Sequence, residues 1–148
     1  MSFVRRVPSP TLAVPTVFLV VNPSSGGYRA SEFTKLGLDF CSFHDRTLST
    51  DLYIFDITEG ESGKKKGFEH LKDVLESSPQ VSALDPIRLV VAGGDGTVIW
   101  AMHELEVHGV DCGKVAVGVV PFGTGNDFSR TLGWGAGAPS NIIGMSLG

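Results

Sequence analysis

The sequence predicts an α/β domain in which a mainly parallel sheet carries helices on both faces. Four short apolar runs without polar alternation are separated by segments whose apolar residues recur at helical spacing. Such β-α alternation joins parallel strands through crossover helices. The chain has 148 residues, 42% of them apolar, which suits one domain that buries its own core.

The predicted strands are rich in β-branched residues and continuously apolar, as expected for strands that are covered on both faces. In chain order they span residues 16–21, 52–57, 87–92 and 115–120. The stretch from residue 41 to residue 51 shows no clear period, and no element is assigned to it.

The predicted helices follow the strands. They span residues 28–38, 65–75, 97–107 and 126–132, and the first of them has only weak periodicity. The second places Phe68, Leu71 and Leu75 on one stripe, and the third does the same with Val98 and Leu105.

The two ends of the chain give separate predictions. Prolines interrupt residues 1–15, which we predict to be a flexible lead-in, and the domain is predicted to span residues 16–148. Residues 141–148 have the character of a helix that has just begun, so we expect the chain to stop in mid-fold. No apolar run approaches the ~20 residues that a membrane span requires.

Charge and cysteine content exclude several classes of protein. The net charge of −4 argues against a non-specific nucleic-acid binder, which would normally be basic. Cys41 and Cys112 lie far apart and neither belongs to a C-x-x-C pair. We therefore predict neither a disulfide scaffold nor a zinc site, but two core thiols in a reducing, cytoplasmic compartment.

Glycine is the unusual component. The chain has 19 glycines, well above the ~7% average, and seven of them form three clusters, each directly after a predicted strand. Carboxyl ends of parallel strands meet at one edge of a sheet, where ligands of α/β proteins bind. Helices begin there with unpaired N–H groups, which favour an anion such as phosphate.

The segment Gly93-Gly94-Asp95-Gly96-Thr97 is the most informative of the three. Its glycines let backbone N–H groups approach a ligand closely. Asp95 is placed to hold a magnesium-bound water or a ribose hydroxyl, and Thr97 to cap the helix or donate to a phosphate. The alternative interpretation is a tight turn followed by a helix cap.

The other two clusters repeat the design. Residues 121–128, with Gly123, Thr124, Gly125 and Asn126, again join a strand to a helix through glycines, a hydroxyl and polar caps. Asn126 and the following Asp127 are also ordinary N-cap residue types, so part of their role is structural. Residues 22–27 form the third loop.

Other phosphate and metal motifs fail on spacing. The dinucleotide fingerprint G-x-G-x-x-G requires glycine where Ile99 and Phe128 stand, and this argues against a nicotinamide-dependent dehydrogenase. Residues 60–64 lack the spacing of a Walker A loop. His103-Glu104 is followed by His108, one position too late for a zinc-binding helix face. Residues 64–66, three lysines, are predicted to be a solvated helix start, the alternative being contact with phosphate or an anionic membrane.

Residues 22–27, 93–100 and 121–135 together resemble the diacylglycerol kinase catalytic domain, and the resemblance runs in register over about residues 16–140. The GGDGT element alone also occurs in sphingosine, ceramide and NAD kinases and in phosphofructokinases. Gly125-Asn126-Asp127 and Trp134-Gly135 are more specific to diacylglycerol kinases. Ser24 departs from the pattern, since lysine is frequent there.

The resemblance implies a three-layer, Rossmann-like or phosphofructokinase-like fold and ATP-dependent phosphorylation of diacylglycerol to phosphatidic acid, with Mg²⁺. It implies that Asp95 serves the magnesium–water network. The residues implied to bind the nucleotide are Asn22, Gly26, Gly27, Gly93, Gly94, Asp95, Gly96, Thr97, Gly123, Thr124, Gly125 and Asn126.

The family also has a second, mainly β accessory domain, which supplies the general base for the lipid hydroxyl. Nothing in the 148 residues matches it. We therefore expect this chain to be the nucleotide-binding half, inactive alone, with contact to diacylglycerol and peripheral membrane association only in the full-length protein. The alternatives are a sphingosine- or ceramide-type lipid kinase and a non-catalytic nucleotide-binding module.

Overall fold

Five strands form one sheet in a computed structural model that describes residues 15–44, 46 and 49–138. The strands are β1 (Thr16–Val21), β2 (Phe40–His44), β3 (Ser49–Asp56), β4 (Ile87–Gly93) and β5 (Val115–Pro121), and their spatial order is β2-β3-β1-β4-β5. The helices are α1 (Ser31–Lys35), α2 (Lys66–Ser77), α3 (Asp95–Val107) and α4 (Asp127–Thr131), with a short 3₁₀ turn at Cys112–Lys114. The predicted α/β class is confirmed.

One strand was not predicted. β2 pairs antiparallel with β3 at the edge of the sheet, whereas β3, β1, β4 and β5 run parallel. Most of β2 is exposed, and Phe40 and Phe43 leave about half of their surface to solvent. A strand that is exposed on both faces needs no alternation of apolar and polar residues. The sequence of β2 therefore shows no pattern that would predict a strand.

Two helices are shorter than predicted. α1 and α4 have five residues each, against the predicted spans 28–38 and 126–132. Tyr28 has φ +71° and Gly37 has φ +63°, so the backbone on both sides of α1 lies in the left-handed region. Gly133, with φ +77°, follows α4 in the same conformation.

The main core lies between the sheet and the helices α2 and α3. Phe18, Leu71, Leu89 and Leu105 are fully buried there, each worth about 1.5–3 kcal/mol on removal from water. Gly67 lets α2 approach β3 closely, because a Cβ at that position would lie 2.7 Å from the ring of Phe55.

The opposite face of the sheet is covered more thinly. Its cluster consists of apolar side chains from β1, β3 and β4 together with Ala30 and Phe122. The five-residue α1 lies against β1 and β3 on this side. Helices therefore cover both faces, as predicted, but unequally.

The strand order creates a reversal between β1 and β4. From β1 the chain moves through α1 and β2 to β3 on one side, and then returns through α2 to β4 on the other side of β1. At the carboxyl ends of this pair, the amide of Asn22 donates to the carbonyl of Ala92 at 2.9 Å. Ligands of open α/β sheets bind at such a switch point.

Several sequence predictions concern residues outside this core. Both cysteines are free thiols, but Cys112 is exposed and Cys41 half-buried on β2, so the prediction of core thiols was wrong. All of the predicted lead-in except Pro15, and the helix predicted to begin at residue 141, lie outside the described residues. Within the described part of the chain, none of the helices has the length and apolar character needed to cross a membrane.

Candidate functional site: three glycine loops at the switch point

The loop after β1 is a left-handed turn. Gly26, Gly27 and Tyr28 have φ of +64°, +64° and +71° in succession. For Tyr28 this conformation costs roughly 1–2 kcal/mol, whereas glycine adopts it freely. A Cβ on Gly26 would press on Phe122 at 3.1 Å from its carbonyl oxygen, which fixes the turn against the loop after β5.

The loop after β4 leads directly into α3. Gly94 is the N-cap of this helix, and Asp95, Gly96 and Thr97 form its first turn. The amide of Thr97 donates to the carbonyl of Gly94 at 3.1 Å, so only the N–H groups of Asp95 and Gly96 point out of the helix end. A Cβ on Gly93 would lie 2.6 Å from the Thr97 hydroxyl oxygen, which glycine allows to fold back over the strand end. The same hydroxyl accepts a hydrogen bond from Asn22 Nδ2 at 3.1 Å, joining the loops after β1 and β4.

The loop after β5 touches the loop after β4 along the backbone. A Cβ on Gly123 would lie only 2.5 Å from the Cα of Gly94. Asn126, at φ +51°, is buried and donates from Nδ2 to the carbonyls of Gly123 and Ala136, each at 2.6 Å. Among the described residues, the amides of Gly123, Thr124 and Gly125 donate to no acceptor, and Thr124 and Gly125 are exposed.

Asp95 caps the short helix α4 from a distance of about thirty residues in the chain. Its Oδ2 accepts the amide of Asp127 at 2.9 Å, and its Oδ1 accepts the amide of Phe128 at 3.0 Å. These amides, Phe128 foremost, lower the pKa of Asp95; desolvation opposes them, and the Arg130 charge makes a smaller contribution in their favour.

Gly96 differs from the other glycines of the site. Its backbone is not in the left-handed region, and a Cβ there would meet nothing within 4 Å. Neither backbone conformation nor packing within the described chain therefore requires glycine at this position. The space beside its first-turn amide is open.

The structure brings most of the predicted site residues into contact. Asn22 bonds Thr97, Gly94 packs on Gly123, and Asp95 spans to the start of α4. Gly27 and Thr124 lie exposed on their loops, where a Cβ on Gly27 would meet nothing within 4 Å. The three loops thus form one continuous surface at the carboxyl edge of the sheet.

A sequence model of the diacylglycerol kinase catalytic domain matches residues 16–146, which include all three loops. This chain belongs to the diacylglycerol kinase catalytic domain family. It is 36% identical over 145 residues to the eye-specific diacylglycerol kinase of Drosophila melanogaster, covering 97% of this chain and 8% of that protein. It is 37% identical over 123 residues to diacylglycerol kinase theta of Homo sapiens, covering 82% of this chain and 11% of that protein.

A third relative, diacylglycerol kinase zeta of Homo sapiens, is 31% identical over 144 residues, or 97% of this chain and 13% of that protein. The chain thus spans only 8–13% of the length of these curated relatives. No solved structure gives a significant match. The predicted family resemblance is confirmed.

The structure adds a feature to this diacylglycerol kinase catalytic domain that sequence reasoning missed. A cavity of about 150 Å³ lies at the carboxyl ends of β1 and β3, on the edge of the sheet that also carries the glycine loops. Its apolar walls include Val20, Phe55, Phe68 and Trp100, and residues 64–66 form part of its rim. The signal in the sequence was the position of Trp100, one helical turn after Gly96 on the same face of α3.

Proposed function

We propose that this chain is the nucleotide-binding part of an ATP-dependent lipid kinase that phosphorylates diacylglycerol to phosphatidic acid. The observation that carries the proposal is the convergence of three glycine loops at the switch point, where the amides of residues 123–125 have no acceptor in the described chain. Exposed amides at a helix start suit phosphate. The family and the printed names of the relatives supply the substrate class.

In this proposal the phosphates of ATP lie over the loops after β4 and β5. Gly96 is the clearest support, because no contact within the described residues requires glycine there and a closely approaching phosphate would. The proposed nucleotide-binding residues remain those of the three loops, from Asn22 through Thr97 to Asn126. The nucleoside end of ATP enters the cavity between β3 and Trp100, whose volume suits a ring system rather than a whole drug-sized ligand.

Mg²⁺ is compatible with the residues present. Within the described ranges there is no group of three or more metal-binding side chains, but Mg²⁺ commonly uses one or two carboxylates together with substrate phosphates. Each Asp95 oxygen accepts one amide and retains a second lone pair. Asp95 would hold a water of the ion, and the ion would neutralise charge on the phosphates.

The proposed division of labour between two domains rests on the family resemblance. We propose that the general base and the contacts to diacylglycerol lie in the accessory domain of the full-length protein, and that residues 1–148 alone transfer negligible phosphate. Peripheral membrane association of the full-length protein belongs to the same proposal, because its lipid substrate resides in a bilayer. The acidic net charge gives no support for a nucleic-acid partner.

The test is transfer of labelled phosphate from ATP to diacylglycerol in mixed micelles by the full-length protein. Asp95→Asn should reduce the rate about 100-fold or more, because preorganised electrostatic contacts at the phosphates carry most of this chemistry. Asp73→Asn, an exposed site on α2 with the same charge change, is the control and should be unaffected.

Four outcomes would contradict the proposal. Near-wild-type turnover of the Asp95 variant would remove the assigned role, and robust transfer by residues 1–148 alone would remove the division of labour. Preference for sphingosine or ceramide in a panel of acceptors would replace the substrate, and nucleotide binding without transfer to any lipid would leave a non-catalytic module.

A further inference from the structure

Three residues that the proposed chemistry leaves unused, Glu104 and His108 of α3 and Lys65 of the lysine run, meet in one cluster. Glu104, on α3, is fully buried. It accepts hydrogen bonds from the Ser62 hydroxyl at 2.5 Å and from the amide of Gly63 at 3.0 Å. Desolvation acts to raise the pKa of Glu104, but the bonds from Gly63 and Ser62 and the charge of Lys65 outweigh it and lower the pKa. Glu104 therefore holds the loop between β3 and α2 as a carboxylate.

His108 makes a second attachment one turn later. Its Nε2 accepts the amide of Lys65 at 3.1 Å, so Nδ1 carries the proton and donates to the carbonyl of Glu104 at 2.7 Å. The ring stacks on Phe68, with centroids 5.4 Å apart. His103 is exposed and takes no part.

Lys65 closes the same loop on itself. Its ammonium donates to the carbonyls of Ile57, Glu59 and Gly60 at 2.6, 3.1 and 2.7 Å, and lies 5.6 Å from the ring centroid of Trp100. The prediction of a solvated helix start is therefore wrong for Lys65, although the lysines on either side are exposed. The loop over residues 57–65 is thus tied to α3 at three points.

This loop forms one wall of the cavity at the carboxyl ends of β1 and β3. Ile57, Glu59, Gly60 and Lys65 line the cavity from the loop, and Trp100 lines it from α3. Since Glu104 and His108 stand on the same helix as Trp100, they set the distance between the two walls. The helix that begins with GGDGT therefore also determines the shape of the cavity.

We infer that Glu104 and His108 are positioning residues that keep the cavity shaped for the nucleoside end of ATP. The inference rests on the proposed function. Loss of the attachment would let residues 57–65 move and would weaken contacts to the nucleoside end alone. The amides of the loops after β4 and β5 would keep their places, so contacts to the phosphates would be unchanged.

Paired titrations separate these contributions. Mg·ATP and Mg·tripolyphosphate are titrated calorimetrically into the full-length protein and into its Glu104→Leu variant, which keeps the buried volume apolar but removes both hydrogen bonds to the loop. We expect the Kd for ATP to rise roughly 10-fold, below the 10²-fold that an ångström of misplacement can cost. One lost favourable contact corresponds to a roughly tenfold change in Kd. The Kd for tripolyphosphate should instead stay within about 2-fold of its value for the unsubstituted protein.

Three further variants make the test specific. Glu104→Gln can still accept from Gly63 and bond Ser62, and should restore ATP affinity to within about 3-fold. Ser62→Ala, on the exposed loop, should weaken ATP in the same direction by a smaller factor and serves if Glu104→Leu does not fold. Glu106→Leu, the same change at an exposed site of α3, is the matched control and should bind both ligands normally.

The outcomes distinguish this inference from the proposed function. If the unsubstituted chain binds neither ligand, the proposed function fails. If it binds both but Glu104→Leu binds ATP normally, loses both ligands equally, or is not rescued by Glu104→Gln, the positioning role is wrong. ATP binding no tighter than tripolyphosphate in the unsubstituted chain would also overturn it, because the cavity would then contribute nothing.

Discussion

Two glycine-to-alanine substitutions in adjacent loops should separate the packing role of glycine from its proposed role in ligand binding. Gly123→Ala places a Cβ 2.5 Å from the Cα of Gly94, about 0.9 Å inside the 3.4 Å at which ordinary contacts begin. Both loops are held by their strands, so the strain cannot relax through a flexible side chain. Overpacking costs about 1–3 kcal/mol, and we expect the upper end of that range.

Gly96→Ala should not destabilise the fold. Its Cβ meets nothing within 4 Å, and the residue lies in the first turn of α3. Alanine is favoured over glycine inside a helix by about 0.8–1.0 kcal/mol, and by less in the first turn. The new methyl group would nevertheless occupy the open space beside the amide where a phosphate is proposed to lie. Binding of Mg·ATP should therefore weaken about 10-fold or more.

Thermal unfolding followed by circular dichroism and calorimetric titration with Mg·ATP check both variants. At roughly 2–4 °C per kcal/mol for a domain of this size, Gly123→Ala should lower Tm by about 6–12 °C. Gly96→Ala should leave Tm unchanged or raise it by up to about 4 °C. Equal losses of Tm in both variants would refute the packing argument, and normal ATP binding by Gly96→Ala would refute the reason given for glycine there.

Two further outcomes follow from the site. Because the folded-state pKa of Asp95 is depressed below 3.8, its charge stabilises the fold above about pH 4, and this contribution is lost as pH falls through the folded pKa. The difference in unfolding free energy between wild type and Asp95→Asn, measured by urea titration, should therefore shrink below pH 4, and a difference that grows on acidification would contradict the bonds to α4. Gly118→Ala would put a Cβ 2.6 Å from the indole of Trp134, which is half exposed and can swing outward. Its fluorescence should shift to the red, with Trp134→Phe identifying the signal, and an unchanged spectrum would show that the indole does not lie on β5.

The sequence predicted the parallel strands well because β1, β4 and β5 are apolar on both faces, a pattern typical of strands in the middle of a parallel sheet. It also located all three loops. It could not predict β2, since the burial of that strand comes from one neighbour at an exposed edge. The spacing of apolar residues likewise says little about where a five-residue helix ends, because glycine and asparagine conformations decide it.

The sequence also could not predict which side chains bond to residues far away in the chain. Asn126 and Asp127 are residue types that are common at helix N-termini, so they predict a helix start. No feature of the neighbouring sequence indicates that Asp95 accepts the amides of that helix. Lys65 looks like its exposed neighbours in the sequence, and only the folded loop shows three carbonyls around its ammonium. Such pairings depend on which loops the sheet order brings together, and this order is not encoded in any single segment.

The backbone contact between Gly94 and Gly123 has a consequence for the thermodynamics of binding. Two loops that touch at their Cα atoms, and share the carboxylate of Asp95, have little freedom to move separately. A ligand that bridges them then orders few additional degrees of freedom, so little of its interaction energy is lost as conformational entropy. The loops after β4 and β5 therefore take their ligand-binding arrangement when the sheet folds, before any ligand binds.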